Sequence, residues 1–302
     1  MALLNNNYLL GLLCAITGAL TFSLSLVLAR VSYDHGTDAQ TVLFVRFLLL
    51  GLMMLLWNRS RRIKMRLPAK LLTGNIILAF LYFIGIGSYL SSVSYLPVSF
   101  AVLIFYTYPI LVALMTAAQN RSWPEMVEIA ALIAAFIGLY IALDVETSGA
   151  QATGLILAVM AAIGVAANTV GSGILLHKMP TTVFSMYLAF TTMLCAGIVV
   201  LWQGHLSLPE TTTGWWAFCG MLISFIVGFI AIYNGIRLLG SLRLSTIMNL
   251  EPVATIAIAV VLLNEVLTGK HLLGGLIVLM AILLAQWPQL RQHQQNKIRR
   301  TH

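Results

Sequence analysis

The chain has 302 residues, of which 60% are apolar and only 9% charged, with a formal net charge of +8. Soluble domains carry roughly a quarter charged residues, so this chain cannot clothe a water-facing surface and needs lipid as its outer solvent. The basic excess sits in short gaps between apolar runs, a topological pattern and not a nucleic-acid face.

A spanning helix needs about 20 mostly apolar residues. Ten such runs follow one another, at 8–29, 39–57, 70–94, 97–119, 124–143, 152–176, 181–202, 213–236, 241–263 and 271–287. The first, Tyr8 to Ala29, lacks a charged leader and a small-residue cleavage site, and reads as a retained helix. Short connections such as Asp34-His35-Gly36 and Ser207-Leu208-Pro209-Glu210 separate the runs. The runs are continuous and do not alternate at period two, which excludes a β-barrel. The expected fold is an all-α polytopic membrane protein.

With ten spans, both termini share one side. That side holds Arg59, Arg61, Arg62, Lys64, Arg66, Lys70, Arg121, Lys178, Arg237, Arg243, Arg291, Lys297, Arg299 and Arg300; the other holds Arg30 and Lys270. Arg46 falls inside a span. The positive-inside rule therefore predicts an inner (plasma) membrane protein with both termini in the cytoplasm.

A shift of 143 residues aligns the two halves span for span. It lays Gly11 on Gly154, Ala15 on Ala158, Phe47 on Phe190, Leu96 on Leu239 and Pro109 on Pro252. Five helices per half is an odd number, so the second half enters the membrane inverted. Inverted repeats are a transporter signature, with the substrate near mid-membrane between them. The expected organisation is a first repeat at 1–146, a second at 147–290 and a basic tail at 291–302 resting on anionic lipid.

Several short motifs now carry a resemblance. Leu250-Glu251-Pro252-Val253, Leu263-Asn264-Glu265 and Leu273-Gly274-Gly275-Leu276-Ile277 stand in order in the second half. Thr107-Tyr108-Pro109 is a weaker copy in the first, and Arg46-Phe47 lies in span 2. The chain resembles the drug/metabolite transporter superfamily, EamA type, along nearly its whole length. Asn264 stands where that pattern usually has glycine, and Tyr108 replaces the acidic residue before proline. The resemblance implies a ten-helix basket in which the first four helices of each repeat surround a central cavity and the fifth lies outside. It also implies export or exchange of metabolites such as amino acids by alternating access.

Ionisable groups in the bilayer interior cost on the order of 2.5–3.5 kcal/mol on insertion scales and need a reason. Glu251 lies near mid-depth in span 9, beside Pro252 and close to Asn249. It reads as a proton-coupling carboxylate, a partner for a substrate ammonium, or a charge locked by Arg46. Pro252 would also free the carbonyl of Met248. Arg46 reads as a clamp on a substrate carboxylate, a partner of Glu251, or a snorkelling side chain. Pro109 and Pro252 predict helices broken or kinked at matching places, lining the cavity or simply kinked against their neighbours. Tyr82 and Tyr106 are the deepest of the aromatic residues in spans 3 and 4. Ser25, Asn168 and Asn234 could line the cavity or bond helix to helix, and Asn168 falls on Ser25 under the same shift.

Cys14, Cys195 and Cys219 read as small buried residues, and the histidines fall at helix ends, in loops or in the tail. No metal or other cofactor is expected. The expected partners are a small-molecule substrate, the bilayer and protons as coupling ion, with a homodimer left open. No P-loop points to ATP-driven transport, and no histidine–carboxylate cluster points to a membrane-embedded enzyme. Multidrug efflux and nucleotide-sugar exchange on the same fold are the alternatives. The lack of a lysine-rich cavity argues against phosphorylated cargo.

Overall fold

The computed structural model describes residues 2–92, 95–96, 98–121, 124–143, 151–263 and 268–301, with side chains except at 2–6, 98–99, 263 and 286–301. Among the described residues the chain is all helical. The elements are α1 (Ala2–Tyr33), α2 (Ala39–Ser60), α3 (Ala69–Ser92), α4 (Val98–Phe105), α5 (Tyr108–Asn120), α6 (Met126–Ala142), α7 (Ala152–Leu176), α8 (Thr181–Gln203), α9 (Thr212–Leu239), α10 (Ser241–Ile247), α11 (Leu250–Leu263) and α12 (Gly269–Thr301). Two spans are split, span 4 into α4 and α5 and span 9 into α10 and α11, so twelve helices make ten passes. Eight passes are long and apolar enough to cross a bilayer, and Met126–Ala142 and Gly269–Ala285 are shorter apolar helices.

Local sequence fixes the ends of these helices. Asp38 caps α2, its carboxylate accepting from the Thr41 N–H at 2.7 Å, and Thr211 caps α9 by accepting from the Gly214 N–H at 3.1 Å. Gly240, at φ +84°, makes the sharp joint between α9 and α10 in a conformation that L side chains rarely adopt. The outer surface is apolar, with Leu201, Trp202, Trp216 and Val261 all at least three-quarters exposed. Lipid makes that exposure favourable.

The packing obeys the 143-residue shift. Span 1 packs on span 8 and span 6 on span 3, two contacts that the shift interchanges. Span 2 packs on span 7 and span 5 on span 10, contacts that the shift maps onto themselves. The symmetry reaches single residues. Gly11 packs on Leu239, and its mate Gly154 packs on Leu96. Ser25 donates to the Met221 carbonyl at 3.0 Å, and its mate Asn168 donates to the Leu78 carbonyl at 3.0 Å. Because 78 and 221 also differ by 143, these are one hydrogen bond made twice.

Spans 5 and 10 pair at the periphery through two glycines. A Cβ on Gly274 would strike the Gly138 carbonyl and the Ala142 amide, so only glycine permits this approach. The boundary expected between 146 and 147 falls in 144–150, outside the described residues, as do Asn264 and Glu265 of the second-half motif.

The cysteine expectation needs correction. Cys14 and Cys195 are half-buried and Cys219 is exposed. A thiol is apolar enough to face lipid, so an apolar run does not tell an inward cysteine from an outward one.

Candidate functional site

The two helix breaks meet at the centre of the molecule. In span 4 the turn Tyr106-Thr107 separates α4 from α5, and in span 9 Met248-Asn249 separates α10 from α11. Pro109 and Pro252 are both buried in the first turn of the helix that follows each break. A proline there has no N–H to lose from the helical ladder.

The Met248 carbonyl is not left free as expected, since the Glu251 N–H takes it up at 3.0 Å. Asn249, also buried, donates to the Thr246 carbonyl at 3.0 Å. The break in span 9 is thus closed on itself by these two hydrogen bonds.

Glu251 begins α11, where the helix N-terminus favours a negative charge. Its backbone carbonyl accepts from Ser23 of span 1 at 2.7 Å and from Thr255 at 2.9 Å. Its carboxylate and the Tyr106 hydroxyl interact. Tyr106 sits at the break in span 4, so the two breaks are joined through their side chains. Tyr82, Tyr89 and Tyr108 also lie within electrostatic reach of Glu251. Tyr89, Phe105, Tyr106 and Tyr108 form one ring cluster, with centroids 4.7–6.1 Å apart.

Arg46 and Glu251 do not form an ion pair among the described residues. Tyr82 lies within electrostatic reach of both. The Arg46 guanidinium instead lies 4.5 Å from the Phe225 ring centre and 5.4 Å from that of Phe47. Its Nε is buried with no hydrogen-bond partner among the described residues. A cation on a ring face gains about 0.5–2 kcal/mol, less than the roughly 2.5–3.5 kcal/mol that insertion costs. The rings around it are continuous: Phe22 stacks on Phe225 at 5.5 Å, and Phe47 meets Tyr82, Phe225 and Phe229 edge-on.

The other expected residues are placed as follows. Ser25 and Asn168 are buried in the helix–helix bonds described above, and Asn168 also accepts from the Tyr233 hydroxyl at 2.9 Å. Asn234 is half-buried and donates to its own helix, at the Ile230 carbonyl, 2.8 Å away. The structure thus gathers Tyr106 and Tyr82 within electrostatic reach of Glu251, places Arg46 on the rings of Phe47 and Phe225, and sets Ser25, Asn168 and Asn234 into the helix scaffold. Phe225 and Tyr233 escaped the sequence reading. Tyr233 adjoins the chosen Asn234 but faces inward, and Phe225 lies one turn from the equally buried Phe229. An aromatic repeat at helical spacing on span 8 was the available signal.

The two halves of the broken spans differ in how they meet. In the half nearer the termini, α5 packs against α10; in the opposite half, α4 and α11 scarcely touch. Spans 3 and 7 also join near the terminus side, where the Asn75 amide donates to the Phe184 carbonyl at 3.1 Å.

On the far surface, Asp38 is held by its neighbours. Burial pushes its carboxyl up, but hydrogen bonds from the Thr41 and Gln40 backbone and the Ser207 and Thr41 side chains outweigh this and hold it below the ordinary 3.8. His205 Nδ1 lies 3.9 Å from this carboxylate.

The comparisons with known proteins agree with this architecture. The EamA-like transporter family matches twice, over residues 9–143 and 152–287. A Synechocystis protein named "Uncharacterized transporter sll1319" is 26% identical over 330 aligned positions, covering 96% of this chain and 97% of that protein. A solved crystal structure superposes with a TM-score of 0.79 over 92% of this chain and 97% of its own, at 16% identity; this is a likeness of fold. Two family matches, one to each inverted half, span nearly all of the sequence, and the chain belongs to the EamA-like transporter family.

Proposed function

We propose that this transporter is a secondary carrier that exports amino acids or related small metabolites by alternating access, from a plasma membrane in which both termini are cytoplasmic. The observation that carries the reading is the meeting of the two broken spans at Tyr106 and Glu251. A carboxylate at mid-membrane, at the junction of two inverted repeats, is where coupling of cargo to a proton can be built. The α5–α10 contact on the terminus side, with α4 and α11 apart, fits a cavity opening away from the cytoplasm. Orientation follows from the charge count, 14 basic residues against 2.

The test is reconstitution in liposomes with radiolabelled amino acids, with and without a pH gradient. Gradient-dependent movement of at least one amino acid is expected. Glu251→Gln should abolish gradient-driven accumulation while leaving exchange across equal pH. Silence toward every amino acid under every gradient would count against the export reading, and undiminished accumulation by Glu251→Gln would remove that residue from coupling.

A further inference from the structure

Arg46 is a cation that no described carboxylate neutralises. It is the eighth residue of α2, inside the span. Among the described residues no carboxylate reaches its guanidinium, and its Nε is buried without a hydrogen-bond partner. Several neutral polar atoms share that condition among the described residues, namely Asn75 Oδ1 and the hydroxyls of Thr116, Ser172, Thr181, Ser185 and Thr192, but Arg46 is the one that carries a charge. Other interior polar groups do have defined partners. Asn168 spends its amide on the Leu78 carbonyl and the Tyr233 hydroxyl, and Ser25 spends its hydroxyl on the Met221 carbonyl. Glu251 interacts with Tyr106 and makes no ion pair with Arg46 among the described residues. A guanidinium that only braced the helices would be expected to take carbonyls in the same way. Arg46 has ring faces instead, at Phe225 and Phe47.

We propose that Arg46 is the anion-binding pole of the central cavity and that its ligand is a monocarboxylate carrying an aromatic or branched apolar body. This rests on the transport reading above and names the chemistry of its cargo. The planar guanidinium matches a carboxylate with two parallel N–H donors. One guanidinium balances one negative charge, so the second charge of a phosphate monoester would stay uncompensated in a low-dielectric site. The apolar body is accommodated by the ring cluster of Phe22, Phe47, Tyr82 and Phe225 beside the charge. Tyr82, edge-on to Phe47, lies within electrostatic reach of both Arg46 and Glu251.

The experiment uses the full chain in lipid nanodiscs and follows thermal unfolding with three probes: phenylacetate, phenylacetamide and inorganic phosphate. Phenylacetate should stabilise the protein saturably, and the neutral amide, of nearly the same shape, should not. Arg46→Gln should weaken phenylacetate binding at least about tenfold, the loss expected for a hydrogen bond to a charged group. Arg46→Lys, which keeps the charge and loses the fork, should fall between. Equal stabilisation by acid and amide, wild-type phenylacetate affinity in Arg46→Gln, or tighter binding of inorganic phosphate than of phenylacetate would each overturn the assignment. If Arg46→Gln does not fold, the acid–amide comparison on the wild type and the lysine variant still decide. Liposome assays separate this inference from the one it rests on. Arg46-dependent binding with no solute moved defeats the transport reading alone, and transport that survives with binding unchanged in Arg46→Gln defeats this one alone.

Discussion

The Tyr106 hydroxyl and the Glu251 carboxylate interact, setting the break in span 4 against the break in span 9. The interaction crosses from one repeat to the other. Tyr106→Phe leaves a carboxylate in the protein interior short of a partner, which costs on the order of 1–3 kcal/mol. In a Glu251→Gln background the same substitution should cost less, because no charge then needs the hydroxyl. Unfolding in denaturing detergent of the wild type, both single variants and the double variant measures the coupling. Additivity within about 0.5 kcal/mol would mean that the two residues do not interact.

The paired bonds from Ser25 and Asn168 to the backbone of the opposite repeat are scaffold. Ser25→Ala and Asn168→Leu should each lower stability by about 0.6–1.7 kcal/mol, the range of hydrogen bonds between membrane helices. Asn168→Leu should cost the more, because it also strands the buried Tyr233 hydroxyl. Ligand affinity in variants that still fold should match wild type, as titration followed by tryptophan fluorescence will show.

Gly274 permits spans 5 and 10 to approach. Gly274→Leu places a large side chain where even a Cβ meets the Gly138 carbonyl and the Ala142 amide. Overpacking of this kind costs typically 1–3 kcal/mol. The expected outcome is a lower melting temperature with little change in ligand affinity, since this pair lies outside the ring of helices that holds Glu251 and Arg46.

Asp38 carries a pH prediction. Its folded-state value lies below the ordinary 3.8 because its hydrogen bonds outweigh its burial. The unfolded chain therefore takes up the proton first as pH falls. The stabilisation is complete above the unfolded value and is lost as pH drops through the folded one. Asp38→Ala removes the cap of α2 and should cost about 1 kcal/mol near neutral pH. The gap between variant and wild type should narrow below about pH 4, and melting curves at stepped pH will show whether it does.

Most of the architecture was legible because lipid leaves a chain few choices. Ten apolar runs gave ten passes, and the prolines marked where two of them break. The side-chain pairing was harder to read. Nothing in the segments around Tyr106 and Glu251 states that they meet, since that depends on how two inverted halves dock. Backbone acceptors are silent as well: the carbonyls of Leu78 and Met221 hold Asn168 and Ser25, and a carbonyl carries no residue signature. Arg46 stood out as a charge within a span, but only the structure replaces the suspected glutamate with Phe225 and Phe47. The cysteines misled for the opposite reason, because in a membrane protein an apolar residue is at ease facing either way.

The shift that exchanges span 1 with span 6 and span 4 with span 9 bears on the resting equilibrium. Were the halves identical, the conformation closed on one side and its mirror would have equal free energy and equal population. Any preference must come from positions where the halves differ. Glu251 faces Tyr108 across the shift, Asn75 faces Phe218, and Phe184 faces Thr41. The Asn75–Phe184 bond therefore has no counterpart between Phe218 and Thr41 that could hold the opposite side shut in the same way. On the alternating-access reading proposed above, divergence between the repeats sets the resting orientation, and making those pairs alike is the direct way to test it.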